Sequence, residues 1–242
     1  MGNKKLKLNN FELDRIYEGD SLKLMKEIPG NSIDLVLTDP PFAINFKGKK
    51  ANYNRKARNV LEGYNEVSKE DYPQFSKDWI NEAFRLLKES GSMFVFSGWN
   101  NLKDILIAID DSGFKTINHL IWKYQFGVFT KKKFVTSHYH IIFAVKNVNR
   151  YKFNKIDHYP EDVMVVNREY WTGELKTPTK LPTELVKKLI KYSSDEGDVI
   201  LDPFMGSGQT AVVSKMLKRH FLGFEIVPRY VEFGNNRINN IP

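Results

Sequence analysis

Residues Ile33 to Asp39, with the two prolines that follow, restrict the fold of this chain more than any other stretch. Ile33-Asp34-Leu35-Val36-Leu37 is apolar apart from Asp34, and a run this short suits a strand covered on both faces, as in parallel α/β sheets. Pro40 and Pro41 have no amide hydrogen to offer a ladder, so the strand ends at Asp39. Both prolines fix their own φ and bias the preceding residue to extended conformations, which leaves the Asp39 carboxylate and its neighbouring carbonyls little freedom. Phe42 stands at the tip of that turn. Ligands of open α/β sheets bind at the carboxyl ends of the strands, so Asp39-Pro40-Pro41-Phe42 is the first candidate site. A stiff turn whose aromatic folds back into the core would look the same over these four residues alone.

The flanking segments alternate regularly. Arg15-Ile16-Tyr17 reads as a strand, and Leu22, Leu24, Met25 and Ile28 as an amphipathic helix capped by Asp20 or Ser21 that stops at Pro29-Gly30. Pro73 onward has helical spacing until Ser90-Gly91, Met93–Phe96 is a buried strand, Leu102–Ile109 a helix, and Phe114–Trp122 and His138–Val145 are strands. Such alternation predicts a doubly wound sheet in one domain spanning residues 1–242. Residues 43–72 break the pattern with Lys47, Lys49, Lys50, Arg55, Lys56 and Arg58 and no acid between them, a basic loop joined directly to the proline turn and suited to phosphates. The segment 123–133 adds Tyr124, Phe126, Phe129, Lys131, Lys132 and Lys133, which suits nucleic acid through charge and stacking. Residues 147–176 are the least patterned, and read equally as a small target-recognition insertion or a surface excursion.

A formal charge of +8 favours a polyanionic partner. There is no apolar run of membrane-spanning length and no hydrophobic segment of signal-peptide length near Met1, so a cytoplasmic protein without membrane contact is expected. Cysteine is absent, and His138 and His140 lack a third ligand in sequence, so no metal site is expected.

The second half carries a nucleotide-binding unit. Asp198–Asp202 is a strand, Pro203-Phe204-Met205-Gly206-Ser207-Gly208-Gln209-Thr210 a glycine turn opening a helix to Leu217, and His220–Glu225 a strand ending in an acid. A final helix runs from Pro228 to Arg237. A carboxylate at that strand end can accept both hydroxyls of a ribose. The turn matches neither the dinucleotide fingerprint nor a P-loop, and Asp202 ahead of the glycines would repel a pyrophosphate. It suits a cationic ligand bearing an adenosine, which describes S-adenosylmethionine.

In this order, Glu18-Gly19-Asp20-Ser21, Asp39-Pro40-Pro41-Phe42, Thr179-Lys180-Leu181-Pro182 and Asp202-Pro203-Phe204-Met205-Gly206-Ser207-Gly208 resemble the β-group amino-methyltransferases of DNA, whose catalytic motif precedes the cofactor motif. The match covers about residues 14–46 and 177–232, with Phe42 where tyrosine is commoner and Leu181 inside the usual Lys-Pro pair. The resemblance implies an α/β, Rossmann-like, doubly wound and mostly parallel seven-stranded sheet in circularly permuted motif order, with one antiparallel strand supplied by His138–Val145 or a neighbour. It implies Asp39, Pro40, Pro41 and Phe42 as catalytic residues, and a cofactor set of Asp20, Ser21, Asp39, Lys180, Asp202, Pro203, Phe204, Gly206, Ser207, Gly208, Thr210 and Glu225. Within that set, Asp202 and Lys180 take the methionine end, Glu225 the ribose and Asp20 the adenine amine.

The implied activity is adenine-N6 methylation of double-stranded DNA from S-adenosylmethionine, in a restriction-modification setting. Cytosine N4 is the nearest alternative, and a catalytically silent nucleic-acid-binding subunit or a small-molecule methyltransferase are others. A homodimer, since the resembled family often dimerises, and a cognate restriction endonuclease are the candidate protein partners.

Overall fold

The computed structural model describes residues 6–42, 67–127, 129–171 and 180–241. A small antiparallel hairpin, β1 (Lys7–Leu8) and β2 (Phe11–Glu12), precedes the main sheet. The chain continues through β3 (Arg15–Glu18), α1 (Ser21–Met25), β4 (Ile33–Thr38), α2 (Tyr72–Leu86), β5 (Leu87–Ser97), α3 (Leu102–Ser112), β6 (Lys115–Lys123), β7 (His138–Val145) and β8 (Val163–Val165). It closes with α4 (Thr183–Ser193), β9 (Val199–Asp202), α5 (Gln209–Met216), β10 (His220–Glu225) and α6 (Pro228–Asn239).

The sheet order is β3-β10-β9-β4-β5-β7-β6-β8, and β7 runs antiparallel to both its neighbours while every other pair is parallel. The doubly wound, mostly parallel architecture and the antiparallel His138–Val145 are as expected. The count is eight strands rather than seven. The additional β8 is a three-residue edge strand in which only Met164 is buried, too short to print a period on the unpatterned stretch around it. That stretch is also tied to α4. The Asn154 side chain donates to the carbonyls of Lys191 and Ser194 (3.1 Å each), and the Phe153 ring lies 5.1 Å from Tyr192. Among the described residues, no helix is long and apolar enough to cross a membrane.

Alternation along β4 divides the core between the two faces. Leu35 and Leu37 pack with Leu185, Val186 and Leu189 of α4, whereas Val36 packs with Trp79 and Ile80 of α2 and Ile105 of α3. Asp34, the one charge in that run, is only 4% exposed and is fully used. It accepts from the Val199 amide (2.9 Å) and takes the Lys88 ammonium on both oxygens (2.9 and 2.8 Å), so it joins β4 to β9. Asp34→Ala should cost about 1–3 kcal/mol in urea denaturation by leaving the Val199 N–H without an acceptor. Lys88→Ala should cost less, because the lysine is 41% exposed and its pairing is screened. Equal losses would place the effect in the ion pair instead of the amide.

The helix before β5 ends at Leu86, four residues before the expected Ser90-Gly91 stop. Ser90 and Gly91 lie inside β5, where the six residues from Leu87 to Ser92 span only Ile33 to Leu35 of β4. This bulge needs Gly91, since a Cβ there would lie 2.8 Å from Leu87 and 2.9 Å from the Lys88 carbonyl. A glycine that looks like a helix stop is therefore a strand irregularity.

Candidate functional site

Parallel pairing of β3, β10, β9 and β4 brings their carboxyl ends to one edge. Glu18 pairs with Glu225, Gly223 with Asp202, and Leu201 with Val36 two residues before Thr38. Because β7 is antiparallel, its first residues join the same edge, with His140 opposite Ser97. Topology thus assembles Asp39, Asp202, Glu225 and Tyr139 from four strands.

Asp202 is the buried hub. Its Oδ1 accepts from the Thr38 hydroxyl (2.7 Å) and the Phe204 amide (3.1 Å), and its Oδ2 from the Thr210 hydroxyl (2.7 Å). Burial pushes the carboxyl up to about 6, and those three bonds oppose the shift. Asp39, directly after Thr38, has a covered Oδ1 with no hydrogen-bond partner among the described residues. Burial first, and the Asp202 charge second, push it up to about 7. An unsatisfied carboxylate oxygen at a strand end lacks only a donor.

The glycine turn is held from two sides. Glu225 accepts from the Gly206 amide on Oε2 and the Val227 amide on Oε1 (2.8 Å each), and burial raises its carboxyl despite those bonds. From α6, Arg237 donates to the Ser207 carbonyl (2.5 Å) and Gln209 Oε1 (2.7 Å) while its guanidinium lies 4.7 Å from the Trp171 ring. Gly208 begins α5 at φ +82°, and a Cβ there would come within 3.1 Å of the Gly234 Cα. Pro203 is buried, and Phe204 packs 5.5 Å from Phe75 and 5.6 Å from Trp79.

Other expected residues have different surroundings. Asp20 caps α1 by accepting from the Leu22 amide (3.0 Å), with Ser21 as the first helical residue. Lys180 has its own acidic partner. It pairs with Glu169 (2.8 Å) and lies 4.9 Å from the Trp171 ring, because Leu181 beside it is drawn into the α4-side core. Phe42 is not a free tip: it is 7% exposed and stacked on Tyr139 (6.0 Å, 24°), which β7 presents as a flat partner. Lys131, Lys132 and Lys133 are exposed on the β6–β7 loop, while Lys47, Lys49, Lys50, Arg55, Lys56 and Arg58 fall outside the described residues.

Reasoning from the sequence missed Tyr139 and its wall. Tyr139 also stacks on Trp122 (5.6 Å, 20°) and approaches Tyr124 (6.0 Å), and burial followed by the Asp39 charge pushes its hydroxyl up to about 12. Period-two alternation with Ile141 and Phe143 would have placed it on the face it shares with Trp122. His140, on the opposite face, is buried against His119 (2.8 Å between ring nitrogens), and burial, then its histidine neighbours, lower it to about 4. Among the described residues, no group of three or more His, Asp or Glu side chains could hold a metal ion.

The sequence pattern of the N6/N4 DNA methylase family matches residues 33–236, which includes every one of these strand ends except that of β3. The chain belongs to the DNA methylase family. It is 29% identical to the type II methyltransferase M2.LlaDCHI of Lactococcus lactis subsp. cremoris over 241 residues, covering 93% of this chain and 88% of that protein. It is also 29% identical to the type II methyltransferase M.HinfI of Haemophilus influenzae over 257 residues, covering 97% and 70%. The fold of this methylase is shared with M1.HpyAVI in complex with SAM (TM-score 0.70, 23% identity, 93% and 99% covered). It is shared as well with the cytosine-N4-specific PvuII DNA methyltransferase (TM-score 0.73, 22% identity, 94% and 87% covered).

Proposed function

We propose that the chain methylates the exocyclic amine of a flipped-out base in double-stranded DNA, adenine N6 foremost, with S-adenosylmethionine as donor. The observation that carries this reading is the covered, unpartnered Oδ1 of Asp39 beside the Asp202 hub. The carboxylates around the glycine turn fit a cationic, ribose-bearing ligand: Asp202 keeps a lone pair on Oδ2 for an ammonium and Glu225 keeps acceptor capacity for ribose hydroxyls, while Asp20 is assigned to the adenine amine. Bound there, the cofactor supplies an electrophilic methyl on a sulfonium centre.

A base amine is a poor nucleophile because its lone pair is delocalised into the ring. Asp39 and the Pro40 carbonyl each accept one amine N–H, which lets the nitrogen pyramidalise and aims its lone pair; this is positioning plus electrostatics. Phe42, backed by Tyr139, supplies the aromatic face on which the base stacks. Extrusion from the duplex costs about a few kcal/mol, which phosphate contacts from Lys131, Lys132, Lys133 and the basic residues 47–58 offset. Proton loss follows methyl attachment, when the amine has become acidic, so Asp39 need not be strongly basic.

Transfer of labelled methyl to unmethylated duplex DNA, followed by nucleoside mass analysis, tests this. N6-methyladenine supports the reading, N4-methylcytosine changes the base but keeps the site, and no label with intact cofactor binding removes the DNA role.

Cofactor binding should also release protons between about pH 6 and 7. A cation beside Asp202 and Asp39 favours their ionised forms and lowers values that stand near 6 and 7, so affinity weakens as pH falls through that window. Calorimetry in buffers of different ionisation enthalpy reads this directly. S-adenosylhomocysteine, without the sulfonium charge, should release fewer protons; equal release would move the sulfonium away from the two aspartates.

A further inference from the structure

We propose that Arg168 clamps a phosphate next to the target nucleotide, an inference that rests on the base-methylating reading of this crevice. The segment leaving β8 is laced to the end of β6. The Val166 amide donates to the Lys123 carbonyl (3.0 Å), Trp122 Nε1 donates to the Val166 carbonyl (2.8 Å), and the Arg168 amide donates to Gln125 Oε1 (2.8 Å). These bonds fix where the Arg168 side chain starts. Its guanidinium then lies 3.8 Å from the centre of the Tyr124 ring, and Tyr124 packs in turn on Trp122 (5.4 Å) and Tyr139 (6.0 Å). Both Arg168 and Asp39 act electrostatically on the Tyr139 hydroxyl, so the cation belongs to the same aromatic wall as the candidate catalytic carboxylate.

What sets Arg168 apart is that its charge is unspent. Nε is covered and has no acceptor, and among the described residues no carboxylate lies within ion-pair distance of the guanidinium. The adjacent Glu169 is taken by Lys180 (2.8 Å) and by the amide and hydroxyl of Thr183 (2.6 and 3.0 Å). The other cations here are similarly committed, Lys180 to Glu169 and Arg237 to Ser207 and Gln209.

The floor of the crevice is acidic, with Asp39, Asp202 and Glu225 at adjacent strand ends. A flipped nucleotide brings its phosphates toward those carboxylates and is repelled. A base whose amine meets Asp39 leaves its sugar and phosphate directed outward along the wall. A stacked guanidinium with free donors matches that phosphate through paired hydrogen bonds, a geometry lysine cannot reproduce.

The test uses the full chain with S-adenosylmethionine and a duplex oligonucleotide carrying the methylated site mapped by label transfer. A methylphosphonate replaces the phosphate on one side of the target base, then the other. At one of these positions the wild-type protein should lose roughly 10- to 100-fold in kcat/KM for DNA. Arg168→Gln and Arg168→Ala should lose a similar factor on ordinary DNA and almost nothing further on the neutralised duplex, while Arg168→Lys recovers only part of the loss. Cofactor affinity should stay unchanged in all three variants, which separates a lost contact from a lost fold. Losses that multiply, or an Arg168→Gln variant with unaltered kcat/KM, would overturn the clamp while leaving the methylase reading intact. Failure of the wild-type protein to label any DNA would remove both.

Discussion

Asp39→Asn should give a protein that is more stable than the wild type yet transfers methyl groups at least about a hundredfold more slowly. The two effects share one cause, a carboxylate buried beside Asp202 with an oxygen that nothing within the described fold satisfies. Asp39 titrates near 7 when folded and near 3.8 when not, so between those limits the folded chain holds a proton that the unfolded chain has released. The fold therefore loses stability from this group as pH rises through the window, and retains the full penalty above it. Removing the charge should add on the order of 2 kcal/mol at pH 8 and less at pH 5, read by urea denaturation at both. Cofactor affinity should be nearly intact. A variant that is destabilised, or equally stabilised at both pH values, would show that Asp39 carries no buried charge; one that turns over normally would remove it from the reaction.

Asp202→Asn should do the reverse to the ligand: cofactor affinity falls roughly 10- to 100-fold because an ammonium loses its anionic partner. The fold survives, since an amide oxygen still accepts from the Thr38 hydroxyl and the Phe204 amide, and the cost of burying a charge disappears. Asp202→Ala is harsher. It strands the hydroxyls of Thr38 and Thr210, both almost wholly buried, at about 1–3 kcal/mol each, partly offset by the vanished charge. Titration calorimetry on the Asn variant and melting of both variants separate ligand binding from scaffolding. Unchanged affinity in Asp202→Asn would leave Asp202 as an internal strut that joins β4 to β9.

The parts legible in the sequence are those written locally. Two prolines end β4, a glycine turn opens α5, and an unbroken apolar run from Ile141 to Val145 marks a buried strand, so both turns and the strand β7 could be read, while its antiparallel sense followed only from the family resemblance. What could not be read depends on who lies across the sheet. Phe42 looks like a free tip until Tyr139 arrives from a strand about a hundred residues later, and the Glu169 partner of Lys180 comes from a segment with no period of its own. Gly91 reads as a helix stop because a bulge and a cap use the same residue, and only pairing with β4 distinguishes them. Arg168 left no periodic trace, since an irregular segment places it.

The bond from Thr38 to Asp202 closes a separation of 164 residues, and it lies at the centre of the sheet. Neither end of the crevice exists in a growing polypeptide until β9 and β10 have been synthesised and slotted between β3 and β4. Closing so long a loop makes this a late and slow event in folding. Cofactor capture therefore reports completed assembly, and a chain truncated before Val199 would have made Asp39 and its prolines without acquiring anything for them to act on.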